Sequence, residues 1–323
     1  MSTRVVEDST VHWISGAWKE PEENHNRPCV EADTGILFLE IPFDHAVSHR
    51  PGTRFGPSAI LAALDGFSLY CTDKRTDLGR LRLRRFGEIE VTNDIHATYR
   101  HIAETVAGLT PGDTPVFLGG DHSITDPILR GLLRRHPDRK LGLIVFDAHF
   151  DSRIPVPGKE HSGHWMHTVA EVFDHRHSVQ LGIDAPIYSS AYMELAEAAG
   201  IMVRTPWDIR RAGLAATVAE AIRHAVEPTD AIHVSIDIDC LSAGFAPGTS
   251  VPNPAGLMLW DVADAVFEIA RSAAHASLDI VEVSPPLDSN GLTAQSAAHL
   301  AMNFLAGRAA RLQPAFSKAD PAA

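Results

Sequence analysis

The stretch LGLIVFDAHFDSR, residues 141–153, runs from an apolar segment directly into Asp147, His149 and Asp151. Its apolar part is continuous rather than alternating, which is typical of a strand buried on both faces of a parallel sheet. Ligands of such sheets bind outside the carboxyl ends of the strands. Because residues i, i+2 and i+4 of an extended chain point to one side, the three polar side chains are expected to face a ligand together.

Similar apolar segments alternate with helical patterns along the chain. The predicted strands are GILFLEIPF (35–43), PVFLGG (115–120), LGLIVFDAH (141–149), SVQLGI (178–183), AIHVSIDID (231–239) and ASLDIVEVS (276–284). A 3.6-residue spacing of apolar positions predicts helices in RFGPSAILAALDGF (54–67), DIHATYRHIAETVAGL (94–109), SITDPILRGLLRRH (123–136), SAYMELAEAAG (190–200), LAATVAEAIRHAV (214–226) and LWDVADAVFEIARSAA (259–274). This order predicts an α/β fold with a mostly parallel sheet and helices on both sides.

The domain organisation follows from the continuity of this alternation. No composition shift or long linker interrupts it, so residues 34–312 are predicted to form a single α/β domain. Residues 1–33 are expected to be an irregular N-terminal arm, and residues 313–323 a C-terminal tail.

Composition excludes several classes of function. The 323 residues are 45% hydrophobic and 21% charged, as in an ordinary globular protein, and the formal net charge of −13 argues against a nucleic-acid partner. No apolar run reaches membrane-spanning length, and the N-terminus lacks the apolar region of a signal peptide. Cys29, Cys71 and Cys240 are far apart and odd in number, which favours a reducing compartment. We therefore expect a cytoplasmic protein without a membrane partner.

Polar residues lie at the ends of four of the predicted strands or directly after them. Asp121 and His122 follow a glycine pair, and Glu282 lies near the end of the last strand. Asp237 and Asp239 alternate in the same way as Asp147, His149 and Asp151. Crowded carboxylates repel one another unless protons or cations neutralise them. Four aspartates with two imidazoles and no thiolate favour manganese, with iron, cobalt, nickel or zinc as alternatives. Carboxylates shared between two ions would lower the pKa of a bridging water, so we expect a dinuclear metal site.

At this point the motifs resemble those of the ureohydrolases, the family of arginase, agmatinase, guanidinobutyrase and their relatives. The resemblance covers about residues 35–308, and HRPGTRFGPSAI (49–60) is closer to the agmatinase branch. The other matching motifs are GGDHS (119–123), DAHFD (147–151), SIDIDCLSAGFAPGT (235–249) and EVSPPLD (282–288). The resemblance implies a three-layer α/β/α sandwich around an eight-stranded parallel sheet, and a homotrimer or homohexamer.

The resemblance also implies the roles of the metal ligands. One Mn²⁺ would be held by His122, Asp147, Asp151 and Asp237, and the other by Asp147, His149, Asp237 and Asp239. Asp147 and Asp237 would then bridge the two ions. A bridging hydroxide would attack the guanidinium carbon of a small linear substrate, giving urea and an amine. Glu282 resembles the family glutamate that pairs with the guanidinium group. Asp121 is more typical of a residue that caps a helix or orients its neighbours, and Asp184 is a weaker candidate for supporting the site.

The substrate loop departs from the agmatinase pattern. Where agmatinases and guanidinobutyrases carry SHGTPF, this chain has KEHSGHWMHTV (159–169), which places Ser162 at the position of the histidine. His161 and His164 flank Ser162, and either is a candidate proton shuttle. Trp165 would narrow the pocket or contact a cationic group, although packing of the loop is the simpler role. Asn253 falls in another loop that lines the family pocket.

Two further interpretations compete with a urea-releasing enzyme. Formimidoylglutamases carry an SGTPF-like loop without the histidine, so a hydrolase that releases formamide is the enzymatic alternative. The family usually has DP after its second aspartate pair, where this chain has Ser242 and Ala243. Together with the altered loop, this leaves a catalytically silent subunit of a hetero-oligomer as a third hypothesis. The six intact candidate ligands argue against it, since a carboxylate cluster is costly to keep without a cation.

Overall fold

The computed structural model describes residues 35–156 and 158–312. Its strands are β1 (Gly35–Glu40), β2 (Tyr70–Cys71), β3 (Thr76–Asp77), β4 (Arg82–Glu88), β5 (Thr114–Leu118), β6 (Leu141–Phe146), β7 (Ser178–Leu181), β8 (Met202–Arg204), β9 (Ala231–Asp237) and β10 (His275–Val281). Eight of them form one sheet in the order β4-β1-β5-β10-β9-β6-β7-β8, and every neighbouring pair in it is parallel. β2 and β3 form a separate antiparallel pair. The predicted α/β fold is confirmed.

The helices cover both faces of the sheet. They are α1 (Gly56–Leu64), α2 (Ile95–Ala107), α3 (Thr125–Arg135), α4 (Trp165–Val169), α5 (Ser190–Ala198), α6 (Pro206–Ala212), α7 (Leu214–Ala221), α8 (Leu259–Ser272) and α9 (Leu292–Leu312). One hydrophobic core joins one face of the sheet to α1, α7, α8 and α9, and a second joins the opposite face to α2, α3, α4 and α5. Neighbouring strand residues enter opposite cores, as Val116 and Phe117 do, so the strands are apolar on both sides.

The described residues cover most of the predicted domain. The predicted arm and tail, residues 1–33 and 313–323, lie outside the described residues, and the single domain over residues 34–312 stays a prediction. The helix predicted over residues 214–226 is α7 followed by a π-helical turn, Ile222–Val226. Among the described residues, no helix combines the length and the apolar character that crossing a membrane requires.

Sheet order brings the polar strand ends together. β5, β10, β9 and β6 are consecutive in the sheet, so the residues that follow them share one edge. Gly120 after β5 lets the chain pass close to the backbone of Phe43, because a Cβ on Gly120 would lie 1.6 Å from the carbonyl oxygen of Phe43. Asp121 then caps a 3-10 turn, His122–Ile124, through its carboxylate. His122 is thereby directed towards the ends of β6 and β9.

Candidate metal centre

The six predicted ligands lie at the shared edge of the four central strands. His122 Nδ1 is 3.1 Å from Asp147 Oδ2 and 3.2 Å from the Oδ2 atoms of both Asp151 and Asp237. His149 Nδ1 is 3.0 Å from Asp239 Oδ2 and 3.4 Å from Asp147 Oδ1. Two groups, His122 with Asp147 and Asp151, and Asp147 with His149 and Asp239, have ligand atoms spaced closely enough to hold a metal ion. Asp147 belongs to both groups, as a bridging ligand requires. Asp237, the other predicted bridge, belongs to neither group, although its Oδ2 lies 3.2 Å from His122 Nδ1.

The cluster concentrates negative charge in a buried place. Burial raises the pKa of Asp147, and the carboxylate of Asp151 raises it further. Burial also raises the pKa of Asp237 well above its usual range, and Asp239 and Asp147 add to the rise. Burial lowers the pKa of His149, but Asp239 and Asp147 outweigh it and raise that pKa to about 12. A cation is therefore the favourable occupant of the cluster, since divalent ions compete with protons for these atoms.

The tautomer of His122 fits the binding of a metal ion. Its Nε2 atom lies 3.0 Å from Ser235 Oγ, and that hydroxyl donates to Asp279 Oδ1 at 2.6 Å. Because the serine proton points at Asp279, His122 must donate from Nε2 and leaves Nδ1 as the open position. His122 Nδ1 and Asp147 Oδ2 beside it are both buried, and neither atom has a hydrogen-bond partner. The donor set of the described residues thus fits a divalent cation.

Hydrogen bonds link His122 through Ser235 to Asp279. Asp279 also accepts a hydrogen bond from Thr125 Oγ1 at 2.8 Å, and its Oδ2 lies 2.9 Å from His233 Nε2. These contacts hold the Asp279 side chain in place. We expect Ser235→Ala to lower the affinity for Mn²⁺ by about tenfold, because His122 loses the partner that orients its ring. Ser277→Ala is the matched control, since Ser277 is buried on the next strand and contacts His233 instead. Manganese titration measures both, and equal affinities would contradict the role of Ser235.

Two residues of the site have left-handed backbone conformations. Asp151 has φ 47° and Glu282 has φ 63°, values that L-residues rarely adopt. Each follows the end of a central strand, where a change of direction brings its side chain beside the cluster. Strained backbone of this kind concentrates at functional sites.

Glu282 has one oxygen committed and one open. Its Oε1 accepts from the backbone N–H of His122 at 3.0 Å, whereas its Oε2 is buried without a hydrogen-bond partner. Burial raises the pKa of Glu282 well above its usual range, and the charge of Asp121 raises it further. Asp121 itself accepts from the backbone N–H groups of Ala46 and Ser123, which supports its capping role. Glu282 Oε2 is thus the carboxylate oxygen that remains available for a ligand.

The substrate loop places its two histidines side by side. The ring centroids of His161 and His164 are 3.7 Å apart, and His164 is buried. Burial lowers the pKa of both imidazoles, and Arg153 lowers each of them further. His161 Nδ1 accepts from the backbone N–H of Gly163, which leaves its proton on Nε2. Ser162 is buried, and its backbone N–H donates to Ala46 O, an anchor that holds the loop against the site.

Trp165 supports the metal cluster from within the fold. The side chain is 2% exposed, its Nε1 donates to Asp151 Oδ2 at 3.1 Å, and its ring centroid lies 4.9 Å from that of His122. The structure therefore favours the packing role over contact with a substrate.

A conservative substitution tests this support. We expect Trp165→Phe to keep the ring against His122 but to lower Mn²⁺ affinity by about tenfold, since Asp151 loses its donor. Trp260→Phe is the control, because Trp260 is 55% exposed and packs on Phe245 away from the cluster. An unchanged manganese titration for Trp165→Phe would show that Asp151 needs no such partner.

Asn253 lies beside the cluster and orients Asp184. Its Nδ2 donates to Asp184 Oδ1 at 2.8 Å. Burial raises the pKa of Asp184, and the charge of Asp239 raises it further. The altered segment at Ser242 and Ala243 holds this loop through the backbone, since Ala243 N–H donates to Asn253 O. Main-chain hydrogen bonds thus hold this segment where the family usually has the DP pair.

Arg153 is a residue of the site to which the sequence pattern assigned no role. Its guanidinium lies 5.6 Å from the centroid of the Tyr188 ring, and that ring lies 6.2 Å from His149. Arg153 is half-buried, and within the ranges 35–156 and 158–312 it forms no ion pair. It follows Asp151 by two residues, and this position in DAHFDSR is the sequence feature that could have indicated that Arg153 lies near the site. An uncommitted cation at this point can receive an anionic group.

Comparisons with known proteins agree with the fold and the motifs. The family model described as Arginase family matches residues 34–307. The formimidoylglutamase of Halalkalibacterium halodurans is 32% identical over 85% of this chain and 87% of its own length. The guanidinopropionase of Pseudomonas aeruginosa is 31% identical over 84% of this chain and 85% of its own. The crystal structure of formimidoylglutamase from Bacillus subtilis superposes with a TM-score of 0.81 at 30% identity, covering 87% and 88% of the two chains. The chain therefore belongs to the arginase family and is a hydrolase of C–N bonds.

Proposed function

We propose that the chain is a dinuclear metal hydrolase that cleaves a C–N bond of a linear amidine whose far end carries a carboxylate. The observation that carries the proposal is the position of Asp147, whose two oxygens face His122 and His149 in two adjacent ligand groups. The proposed ligands are His122, Asp147, His149, Asp151, Asp237 and Asp239. Their oxygen-rich set favours two Mn²⁺ ions per chain. The chemistry that such ions supply is the activation of water near neutral pH.

Glu282 is proposed to orient the amidine. Its Oε2 is buried and unpartnered, so it accepts a hydrogen bond from an N–H group of the substrate. A carboxylate and an amidinium group are planar and complementary, which fixes the plane of the reacting carbon beside the cluster. The bond between Glu282 Oε1 and the His122 backbone keeps this orientation.

His161 and His164 are proposed to provide the proton that the departing amine requires. Burial lowers the pKa of both imidazoles, so they are uncharged near neutral pH. An uncharged imidazole can accept the proton that the attacking water loses and then give it to the departing amine. Their rings are adjacent, and the loop that carries them is anchored through Ser162. Asn253 is proposed to shape the same pocket through Asp184.

Arg153 is proposed to select the substrate class. A carboxylate at the far end of the substrate would pair with its guanidinium, whereas the cationic end of agmatine would be repelled. An N-formimidoyl amino acid is our first candidate, supported by the relatives named formimidoylglutamase and by Ser162 at the position of the agmatinase histidine. A guanidino acid is the second, favoured by the paired loop histidines and by the relative named guanidinopropionase.

The assembly is proposed from the family resemblance, and the location from the cysteine usage. We propose a homotrimer or homohexamer in the cytoplasm, with a small-molecule substrate. The silent-subunit hypothesis predicts a chain without bound metal, whereas the proposed enzyme holds two ions per chain. Elemental analysis of the purified protein separates the two.

Product analysis tests the proposed function. The chain, reconstituted with Mn²⁺, is given formimidoylglutamate, guanidinopropionate, guanidinobutyrate, agmatine, arginine and guanidine, and both formamide and urea are measured. Formamide from formimidoylglutamate supports the first candidate, and urea from a guanidino acid supports the second. Turnover of agmatine in preference to every carboxylate-bearing compound would refute the role of Arg153. Absence of both products with two ions bound would refute the proposed substrate class.

A further inference from the structure

A small basic cavity lies at the amino-terminal end of the sheet, opposite the candidate metal centre. It has a volume of about 40 Å³ and is lined by the first residues of four central strands, Thr114, Leu141, Ala231 and His275. The end of α3 and the residues after it add Arg135, His136 and Arg139. This volume has room for roughly three water molecules, so a ligand that fills it must be small.

Two guanidinium groups of this cavity have unused donors. Arg135 Nε and Arg139 Nη1 are buried and have no hydrogen-bond partner. Arg135 donates from Nη2 to the carbonyl oxygens of Thr110 and Asp113, so its head is held in place. Buried donors without acceptors are costly, and they are rare in folded proteins. An acceptor supplied by a ligand would satisfy both.

The surrounding charges are strongly positive. Burial lowers the pKa of His136 to about 4, and Arg135, Arg139 and His275 contribute to the shift. Burial also lowers the pKa of His275, and Arg139, Arg308, Arg311 and Arg135 lower it further. The carboxylate in the wall, Asp113, is already paired with Arg84. The cavity therefore has an excess of positive charge that an anion would balance.

Asp113 also restricts the kind of anion. Its Oδ1 is used by Arg84, whereas its Oδ2 is buried and has no hydrogen-bond partner. An ion that fits both the arginine donors and this acceptor must offer several oxygens and one O–H group. Hydrogen phosphate has both at neutral pH, whereas sulfate has no proton to donate. We propose that this cavity binds hydrogen phosphate, with Arg135 and Arg139 donating to its oxygens and Asp113 accepting from its hydroxyl.

Binding of inorganic phosphate to the full-length, manganese-loaded protein tests the proposal. At constant ionic strength, calorimetry should show phosphate binding at least about tenfold more tightly than sulfate. At ten times its dissociation constant, phosphate should raise the melting temperature by about 3 °C. No phosphate binding, or equal affinity for the two anions, would overturn the proposal.

Variants assign the binding to this cavity. Arg139→Gln should weaken phosphate binding about tenfold or more, and it should leave the stability without phosphate unchanged, because the buried donor that it removes, Arg139 Nη1, has no hydrogen-bond partner. Arg134→Gln is the matched control, since Arg134 is an exposed arginine in the last turn of α3 and does not line the cavity. His275→Ala, a second variant, changes the lining of the cavity without touching the three proposed ligand-binding residues, and it should weaken binding several-fold. Unchanged affinity in Arg139→Gln and His275→Ala would place the phosphate elsewhere, for example at the metal centre, and would refute the site.

Discussion

Asp147→Ala is expected to abolish turnover, by about a thousandfold or more, and to leave the chain without a pair of bound metal ions. The reason is that Asp147 is the residue shared by both ligand groups, so its loss removes one ligand from each. Elemental analysis after reconstitution measures the metal content, and product release measures turnover. Two bound ions with wild-type activity would show that Asp147 does not bridge.

The stability of the same variant should change in opposite directions with and without metal. In a chelator, the variant is expected to melt at or above the wild-type temperature, because removing Asp147 relieves repulsion from Asp151 and Asp239. With Mn²⁺, the wild type should gain stability and the variant should not. Asp174→Ala is the control, since Asp174 is exposed and pairs with Arg176. If the variant were less stable than the wild type in the chelator as well, Asp147 would be a structural residue.

Continuous apolar runs predicted six strands of the sheet because those strands are buried on both faces. β4 was not predicted because it is an edge strand, and its sequence RLRRFGE is rich in arginine and contains no continuous apolar run. α9 escaped for the opposite reason: it is buried on almost all sides, so its alanine-rich sequence has no polar face to mark a helical period. β8 and α4 are too short for a periodic signal.

The candidate site was predictable where chemistry coincides with strand ends. His122, Asp147 and Asp237 each follow or end a central strand, and parallel order brings such ends together. The contribution of Ser235 could not be predicted, because it lies inside an apolar run and its contact with His122 depends on how β9 packs beside the turn after β5. The position of Trp165 was equally open, since sequence does not show whether a loop tryptophan points into a pocket or into the core.

Arg153→Gln is expected to lower kcat/KM for the carboxylate-bearing substrate by about a hundredfold, mainly through a higher KM. A charge-assisted pair between guanidinium and carboxylate contributes about 1.5–3 kcal/mol, and the truncated residue retains only a neutral donor. Arg153 contributes no metal ligand in the proposed set, so the metal content should stay at the wild-type level. Steady-state kinetics on the best substrate of the panel, with metal analysis of the same sample, measures both quantities.

Lys159→Gln is the matched control for Arg153→Gln, because Lys159 is an exposed cation of the same loop region. An equal loss of kcat/KM in both variants would indicate general attraction of an anionic substrate rather than a specific ion pair. High salt would then remove the difference in kcat/KM between the wild type and the variants. The substrate analogue with an amide in place of the far carboxylate serves as a further comparison. If the loss is confined to Arg153→Gln and is smaller for the amide analogue than for the carboxylate, the carboxylate lies beside Tyr188. Unchanged KM for every carboxylate-bearing compound would show that the far end of the substrate is recognised by another residue, and the proposed substrate class would lose its structural basis.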